Sequence, residues 1–358
     1  MKTSILRIVA VLLMLLMVLS ACAPVTDNNG DDTTDANPAA GEDTTAEPST
    51  EESTTEKSTT EEPTTEEPTT DDPDDGRPAA KKDMKILMIG NSFCYYFVEE
   101  LYAMAAADGY DLTVANLYKS GCSVNEHWTK GVQQNKSYYQ FFVTTSNGRR
   151  ETEITKFNDA LNYADWDVIT LQQHFYPSLA KADANTTAAG MKKDVKNLYN
   201  LIRTKHPNAE LYWQQTWAYQ VGYAEEGQEI PDKATQTTTY NNIKTVSQII
   251  AQENNVKIVP SGDAWQIARA DSRVGDNMCA RLGTNGDLGD YYHDGDIGGG
   301  QYLNACVWYE VLTGESCVGN TWKPSDTLNY SLSDSMIAGI QEAAHAAVAA
   351  VYGENYAR

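Results

Sequence analysis

Basic residues are scarce in this 358-residue chain: 27 Lys and Arg stand against 50 Asp and Glu, for a formal charge of −23 at neutral pH. With no cationic patch to neutralise phosphates, nucleic acid is excluded as an expected partner. Histidine is scarcer still. A mechanism that needs an imidazole has only His127, His174, His206, His293 and His345 to draw on. There is no His-x-x-x-His pair and no spaced pair of cysteines, so no metal signature is present and no cofactor is expected. The acids Asp287, Asp290, Asp294 and Asp296 would bind calcium only by coincidence. Long apolar runs are lacking too: the run at 8–19 falls short of the roughly 18 to 20 residues that a membrane helix requires.

What stands at the N-terminus is ordered. Lys2 and Arg7 precede that apolar run, and Ser20-Ala21-Cys22 follows it. Basic, apolar and small-residue segments in that sequence predict an export signal over 1–21. Leu19-Ser20-Ala21-Cys22 resembles the bacterial lipobox, which implies that Cys22 carries a lipid anchor at the cell surface. The next stretch, 22–82, holds almost no large apolar residue and is dominated by Thr, Glu, Asp and Pro. It cannot bury enough surface to offset chain entropy, so it is predicted to be a disordered, self-repelling tether. Residues 23–80 carry 18 acids against 2 bases, which leaves the remainder of the chain only moderately acidic. Five cysteines remain beyond Cys22: Cys94, Cys122, Cys279, Cys306 and Cys317. An odd count predicts at least one free thiol beside at most one or two bridges, and a Cys94–Cys122 bridge is conceivable.

The last 276 residues, 83–358, form the predicted folded part. Short apolar runs at 84–89, 112–117, 166–171, 209–213 and 256–259 read as strands. Helical patterns at about 96–108, 153–163, 188–205, 235–253, 301–313 and 333–352 alternate with them. Strands and helices in alternation predict a central parallel five-stranded sheet covered on both faces. With right-handed crossovers, this is a flavodoxin-like three-layer α/β/α sandwich. Segment 122–150 breaks the rhythm and reads as a hairpin or flap, either a cover facing the substrate or a structural insertion.

Ser92 follows the first strand at a Gly90-Asn91-Ser92 turn before a helix. A hydroxyl there lies where backbone N–H groups favour developing negative charge. The same serine could instead cap the helix. Among the histidines, His206 and His345 read as structural or solvated, and His127 and His174 as surface residues of loops. His293 differs, because Asp290-Tyr291-Tyr292-His293 puts a carboxylate three residues ahead of it in a Gly- and Asp-rich loop. Such a loop can aim both side chains at one point, with the carboxylate fixing the imidazole tautomer. Cys94 is a rival nucleophile that helix spacing turns away from Ser92.

Several blocks together carry a resemblance. Gly90-Asn91-Ser92-Phe93 resembles the first block of the SGNH hydrolases, with Asn91 where many members have aspartate. Gly121 in Ser120-Gly121-Cys122-Ser123 resembles the oxyanion glycine block, and Asp290 with His293 resembles the Asp-x-x-His block. Gln172-Gln173, Thr216-Trp217-Ala218-Tyr219 and the run 299–309 are similar to further blocks of a largely uncharacterised SGNH-like family of exported bacterial proteins. The third SGNH block normally supplies an asparagine amide to the oxyanion; here Gln173, or Gln172, would have to serve.

The resemblance implies the SGNH hydrolase fold and acyl transfer. Ser92 would be the nucleophile, His293 the proton shuttle and Asp290 its orienting carboxylate, with Gly121 N–H and a glutamine amide at the oxyanion. The implied activity is that of an esterase or deacetylase acting on acylated carbohydrate or another small ester, including polysaccharide esters. The membrane would be met only through the lipid anchor. Trp128, Tyr138, Tyr139, Tyr176, Trp217 and Tyr219 would suit stacking on sugar rings, or simply fill the core. If the oxyanion site is broken, the alternative is a catalytically weak or inactive ligand-binding lipoprotein on the same fold.

Overall fold

Side chains alternate along strand β1, Lys85–Gly90: Ile86 and Met88 sink into one apolar layer, Leu87 and Ile89 into another. Both faces of the strand are covered, as a buried parallel strand requires. The structure is a computed structural model that describes residues 81–358 except 176, 225–228, 276–298, 329–330, 355 and 357–358. Contacts divide the chain into residues 1–72 and residues 73–358, and every described residue belongs to the second unit. The expected leader, Cys22 and most of the tether therefore lie outside the described residues, as do Tyr176, Cys279, Asp287, Asp290, His293, Asp294 and Asp296.

Six more strands complete one sheet: β2 Thr113–Tyr118, β3 Gln140–Thr145, β4 Gly148–Glu151, β5 Val168–Gln172, β6 Glu210–Gln214 and β7 Lys257–Val259. Their order is β4-β3-β2-β1-β5-β6-β7. The strands β2, β1, β5, β6 and β7 run parallel. Taken in chain order, those five stand 2-1-3-4-5, the flavodoxin-like arrangement. The predicted parallel sheet is present, and the edge is where the structure departs from expectation. The hairpin β3–β4 pairs antiparallel on β2, with Tyr118 opposite Gln140 and Val114 opposite Thr144. It lengthens the sheet sideways, where the sequence reading allowed a cover over the ligand edge. Phe141 and Val143 are buried there, and the pairing protects an edge that β2 would otherwise expose.

Among the described residues, six long helices pack on the two faces. They are α1 Val98–Ala107, α2 Ala184–Lys205, α3 Lys233–Asn254, α4 Ser261–Ala270, α5 Gly300–Thr313 and α6 Asp334–Tyr352. Side chains of α1, α4, α5 and α6 share a layer with Ile86 and Met88; those of α2 and α3 share the other with Leu87 and Ile89. Asp183, Asp232 and Ser333 cap α2, α3 and α6 by accepting from backbone N–H groups of the first turn. The helix expected at 153–163 shrinks to Phe157–Leu161. Helix α4 was not among the helices expected from the sequence. Gly262 is needed there, since a side chain would run into the carbonyl of Thr216.

Helix α5 runs against the direction of the parallel strands. Glu315, just past its end, accepts from Tyr110 OH at 3.4 Å, and Lys82, ahead of β1, lies over the Tyr110 ring. The C-terminal end of α5 therefore sits at the amino edge of the sheet. Nearer its start, Asn304 accepts from Trp265 Nε1 at 3.2 Å. Trp265 stacks at 4.7 Å on Trp217, beyond the carboxyl end of β6. Gly300 thus opens α5 at the carboxyl edge, the same edge on which β1 delivers Ser92.

Candidate active site

Ser92 begins a short 3-10 turn, Ser92–Cys94, separated from the end of β1 at Gly90 by Asn91 alone. The cap of this turn is Asn91, whose Oδ1 accepts from Phe93 N at 3.2 Å; α1 itself has no side-chain cap. The capping role open to Ser92 in the sequence thus falls to its neighbour, and Ser92 is left half-buried at the sheet edge.

The turn is pinned from beneath by amides from three parallel strands, β2, β5 and β6. Gln214, ending β6, donates Nε2 to Phe93 O at 2.8 Å. Asn116 in β2 donates Nδ2 to Cys94 O at 2.6 Å. Gln172, ending β5, donates Nε2 to Asn91 Oδ1 at 2.7 Å, and Asn91 in turn donates Nδ2 to Cys122 O at 3.1 Å. All four side chains are fully buried. Gln214 and Asn116 thereby hold main-chain carbonyls of the turn and Gln172 holds Asn91, while Asn116 Oδ1, Gln172 Oε1 and Gln214 Oε1 have no partner among the described residues. Sequence reading missed Asn116 and Gln214 as parts of the site; the signal was a lone amide inside an otherwise apolar strand.

Gly121 lies in the turn after β2 and is exposed, with φ +62°. That left-handed conformation favours glycine. Gln173 is half-buried; its Oε1 accepts from Val124 N at 2.9 Å and its Nε2 donates to His174 O at 2.8 Å. The structure therefore gathers Ser92, the Gly121 turn and Gln173 along the carboxyl edges of β1, β2 and β5. Gln172 has no exposed surface and meets the site by donating to Asn91. Asp290 and His293 fall outside the described residues.

Two of the remaining histidines, His127 and His174, depart from expectation. His127 is fully buried, not solvated; its Nδ1 meets Tyr139 OH at 2.9 Å and its ring stacks on Tyr139. Burial pulls its pKa down to about 4. His174 is also buried rather than a surface residue, hydrogen-bonded to Tyr219 OH and stacked 5.0 Å from Phe93. His206 and His345 hold structural positions, on Leu161 O and on the buried Glu310. Cys94, Cys122, Cys306 and Cys317 are free thiols, so the conceivable Cys94–Cys122 bridge is not formed. Burial pushes the Cys94 and Cys122 thiols up to about 12, which leaves Cys94 without thiolate character and disfavours it as a nucleophile.

Of the described aromatic residues considered for sugar stacking, Tyr139, Trp217 and Tyr219 are buried in the core, and Trp128 and Tyr138 retain partial exposure. Among the described residues no group of His, Cys, Asp and Glu could hold a metal ion, and no helix is long and apolar enough to cross a membrane. A separate cavity of about 480 Å³ lies between α1 and the β3–β4 hairpin, lined by Glu99, Tyr102, Arg149 and Trp322 among others; none of the described candidate site residues borders it.

Residues 85–347 match the model of a domain of unknown function, DUF4886. The chain belongs to the DUF4886 family. A crystal structure of a DUF4886 family protein from Bacteroides uniformis is 29% identical, with a TM-score of 0.60, over 76% of this chain and 96% of that one. A lipase/acylhydrolase from Enterococcus faecalis is 16% identical with a TM-score of 0.40, over 64% of this chain and 96% of that one. An acetylxylan esterase from Geobacillus stearothermophilus is 14% identical with a TM-score of 0.40, over 64% and 94%. Among curated proteins, none matches the chain.

Proposed function

We propose that this chain is a serine acyl hydrolase of the SGNH type, an esterase or deacetylase acting on acylated carbohydrate or another small ester. The observation that carries this reading is the position of Ser92. It stands at the carboxyl end of β1, whose neighbours β2 and β5 flank it on either side, so the chain order reverses there. In an open α/β sheet that switch point is where ligands bind. The Gly121 turn follows β2 on one side of Ser92 and Gln173 follows β5 on the other.

In the proposed reaction Ser92 Oγ attacks the ester carbonyl while His293 takes its proton, and the tetrahedral oxyanion is held by Gly121 N–H and the Gln173 amide. The alkoxy C–O bond breaks as His293 returns the proton to the leaving alcohol, and water then releases the acyl group from Ser92 by the same steps. Asp290 orients His293. Support for these two roles comes from their order in the chain: Gly300, seven residues after His293, opens α5 at the sheet edge that bears Ser92. Export and anchoring through Cys22, with 22–82 as tether, complete the proposal.

The test is hydrolysis of short-chain aryl esters and acetylated sugars by the purified chain, wild type beside Ser92→Ala. Turnover that disappears with the substitution supports the reading; turnover that survives it means the wrong serine. A second reading, a binding protein on the same fold, is favoured by one observation: the Gln173 amide already accepts from Val124 N and commits one of its two N–H donors to His174 O. Saturable sugar binding without turnover in either protein would establish it. Anchoring is tested by fractionation, with Cys22→Ala expected to leave the membrane fraction.

A further inference from the structure

The residue before the nucleophile is an asparagine where the SGNH block commonly has aspartate, and its surroundings explain the choice. One arm of Asn91 accepts twice, from Phe93 N at 3.2 Å and from Gln172 Nε2 at 2.7 Å. The other arm donates to Cys122 O at 3.1 Å. Phe93 N–H can only donate and the Cys122 carbonyl can only accept, so the orientation of the amide is fixed by chemistry. Asn91 has no exposed surface. A single side chain thereby ties the turn bearing Ser92 to the turn bearing Gly121, and ties both to the end of β5.

We propose that Asn91 is a positioning residue for the hydrolytic site, and that it must donate on one arm and accept on the other to hold the Ser92 turn and the Gly121 turn in register. This rests on the serine hydrolase reading above. The separation of nucleophile and oxyanion donor is the quantity that such a tie controls, and a misplacement of about 1 Å can cost roughly 100-fold in rate. An ionised aspartate could not replace it. Its second oxygen would face the Cys122 carbonyl, two acceptors in contact with no proton between them, in a place sealed from water. A protonated aspartic acid could replace it, since its O–H donates as the amide does.

The groups around position 91 set the direction of the effect. Among the described residues, Cys94 donates Sγ to Asn91 O at 3.3 Å, and Cys122 lies across the bridge. Both thiols are uncharged near neutrality. From the β3–β4 hairpin Arg149 acts on Cys94; Lys119, just ahead of Gly121, and Glu126 and Lys130, after it, act on Cys122. Arg149 favours an ionised carboxylate at 91, while complete burial and the facing carbonyl oppose it. The latter act at contact distance and prevail, so the carboxyl pKa in Asn91→Asp rises above the usual value near 4.

The experiment compares wild type, Asn91→Asp and Asn91→Leu in kcat and KM on p-nitrophenyl acetate between about pH 5 and pH 8. The ratio of kcat for Asn91→Asp to that for wild type is expected to fall as pH rises, by about 100-fold across the range, with KM little changed. Asn91→Leu should lose activity by a factor independent of pH. A ratio for Asn91→Asp that stays flat with pH overturns the proposal. Melting temperatures over the same range give a readout that needs no turnover: relative to wild type, Asn91→Asp should lose stability as pH rises, and a flat difference overturns the bridge. Labelling by a fluorophosphonate probe separates the two ideas. If wild type neither hydrolyses ester nor takes the label at Ser92, the hydrolase reading falls, and with it the positioning role; the melting series then reports on the bridge alone.

Discussion

Gly90 and Gln172 pack so closely that a methyl group on Gly90 would come within 2.7 Å of Gln172 Cγ, and closer still to its amide nitrogen. The glycine before Asn91 is therefore required by a neighbour on β5 rather than by its own backbone angles. Gly90→Ala should displace Gln172 and remove its hydrogen bond to Asn91. Overpacking of this kind costs about 1–3 kcal/mol. Urea unfolding should show that loss, and ester hydrolysis should fall with it; a variant as stable as wild type would mean that Gln172 moves aside freely.

Gln173 is the proposed side-chain oxyanion donor. Gln173→Ala is expected to lower kcat by about 100- to 1000-fold, the usual cost of losing one such donor. Its bond to Val124 N shows that the residue also shapes the segment after Gly121, so KM and thermal stability should be measured beside kcat. A loss of stability with kcat unchanged would assign Gln173 to structure alone.

Cys94 and Cys122 should resist alkylation. Burial holds both thiols near a pKa of about 12, so at pH 8 only about one in 10⁴ is a thiolate. Native protein incubated with iodoacetamide and digested should carry no label at either position, whereas unfolded protein should be labelled at both. Rapid labelling of Cys94 in the native state would reopen its claim as nucleophile.

His127 gives the stability of the protein a pH dependence. Its folded pKa, about 4, is depressed below the ordinary value of 6.5 by burial. The unfolded chain therefore binds the proton more readily, and stability rises with pH between those values. The contribution is fully present above about pH 6.5 and is lost as pH falls toward 4. His127→Phe keeps the ring stack on Tyr139 and removes the titration. Between about pH 6 and 4.5 its unfolding free energy should vary less steeply than that of wild type, by nearly one proton. Equal slopes would show that the imidazole is hydrated or charged in the native state.

The order of strands and helices was legible in the sequence because each element announces itself locally. The run Lys85-Ile86-Leu87-Met88-Ile89-Gly90 is apolar on both sides, and α2, α3 and α6 carry helical periodicity behind Asp or Ser caps. Ser92 was legible for the same reason, since a serine after a buried strand and a Gly-Asn turn has few other places to go. His127 and His174 were misread because burial depends on partners far off in the chain: Tyr139 and Phe157 enclose the first, Phe93 and Tyr219 the second.

By itself, then, the sequence determined an alternation of strands and helices that can close only as a doubly covered parallel sheet, and it determined which residue stands at the turn after the first strand. Tertiary structure alone decided that the 140–151 hairpin joins the sheet edge and that α5 brings its first residues to the end of the molecule where Ser92 lies. It alone decided that Asn91 clasps two turns. The physical reason is range: periodicity and capping are set by residues within a few positions of one another, whereas strand pairing and buried amide bonds are settled between segments that meet only when the core closes.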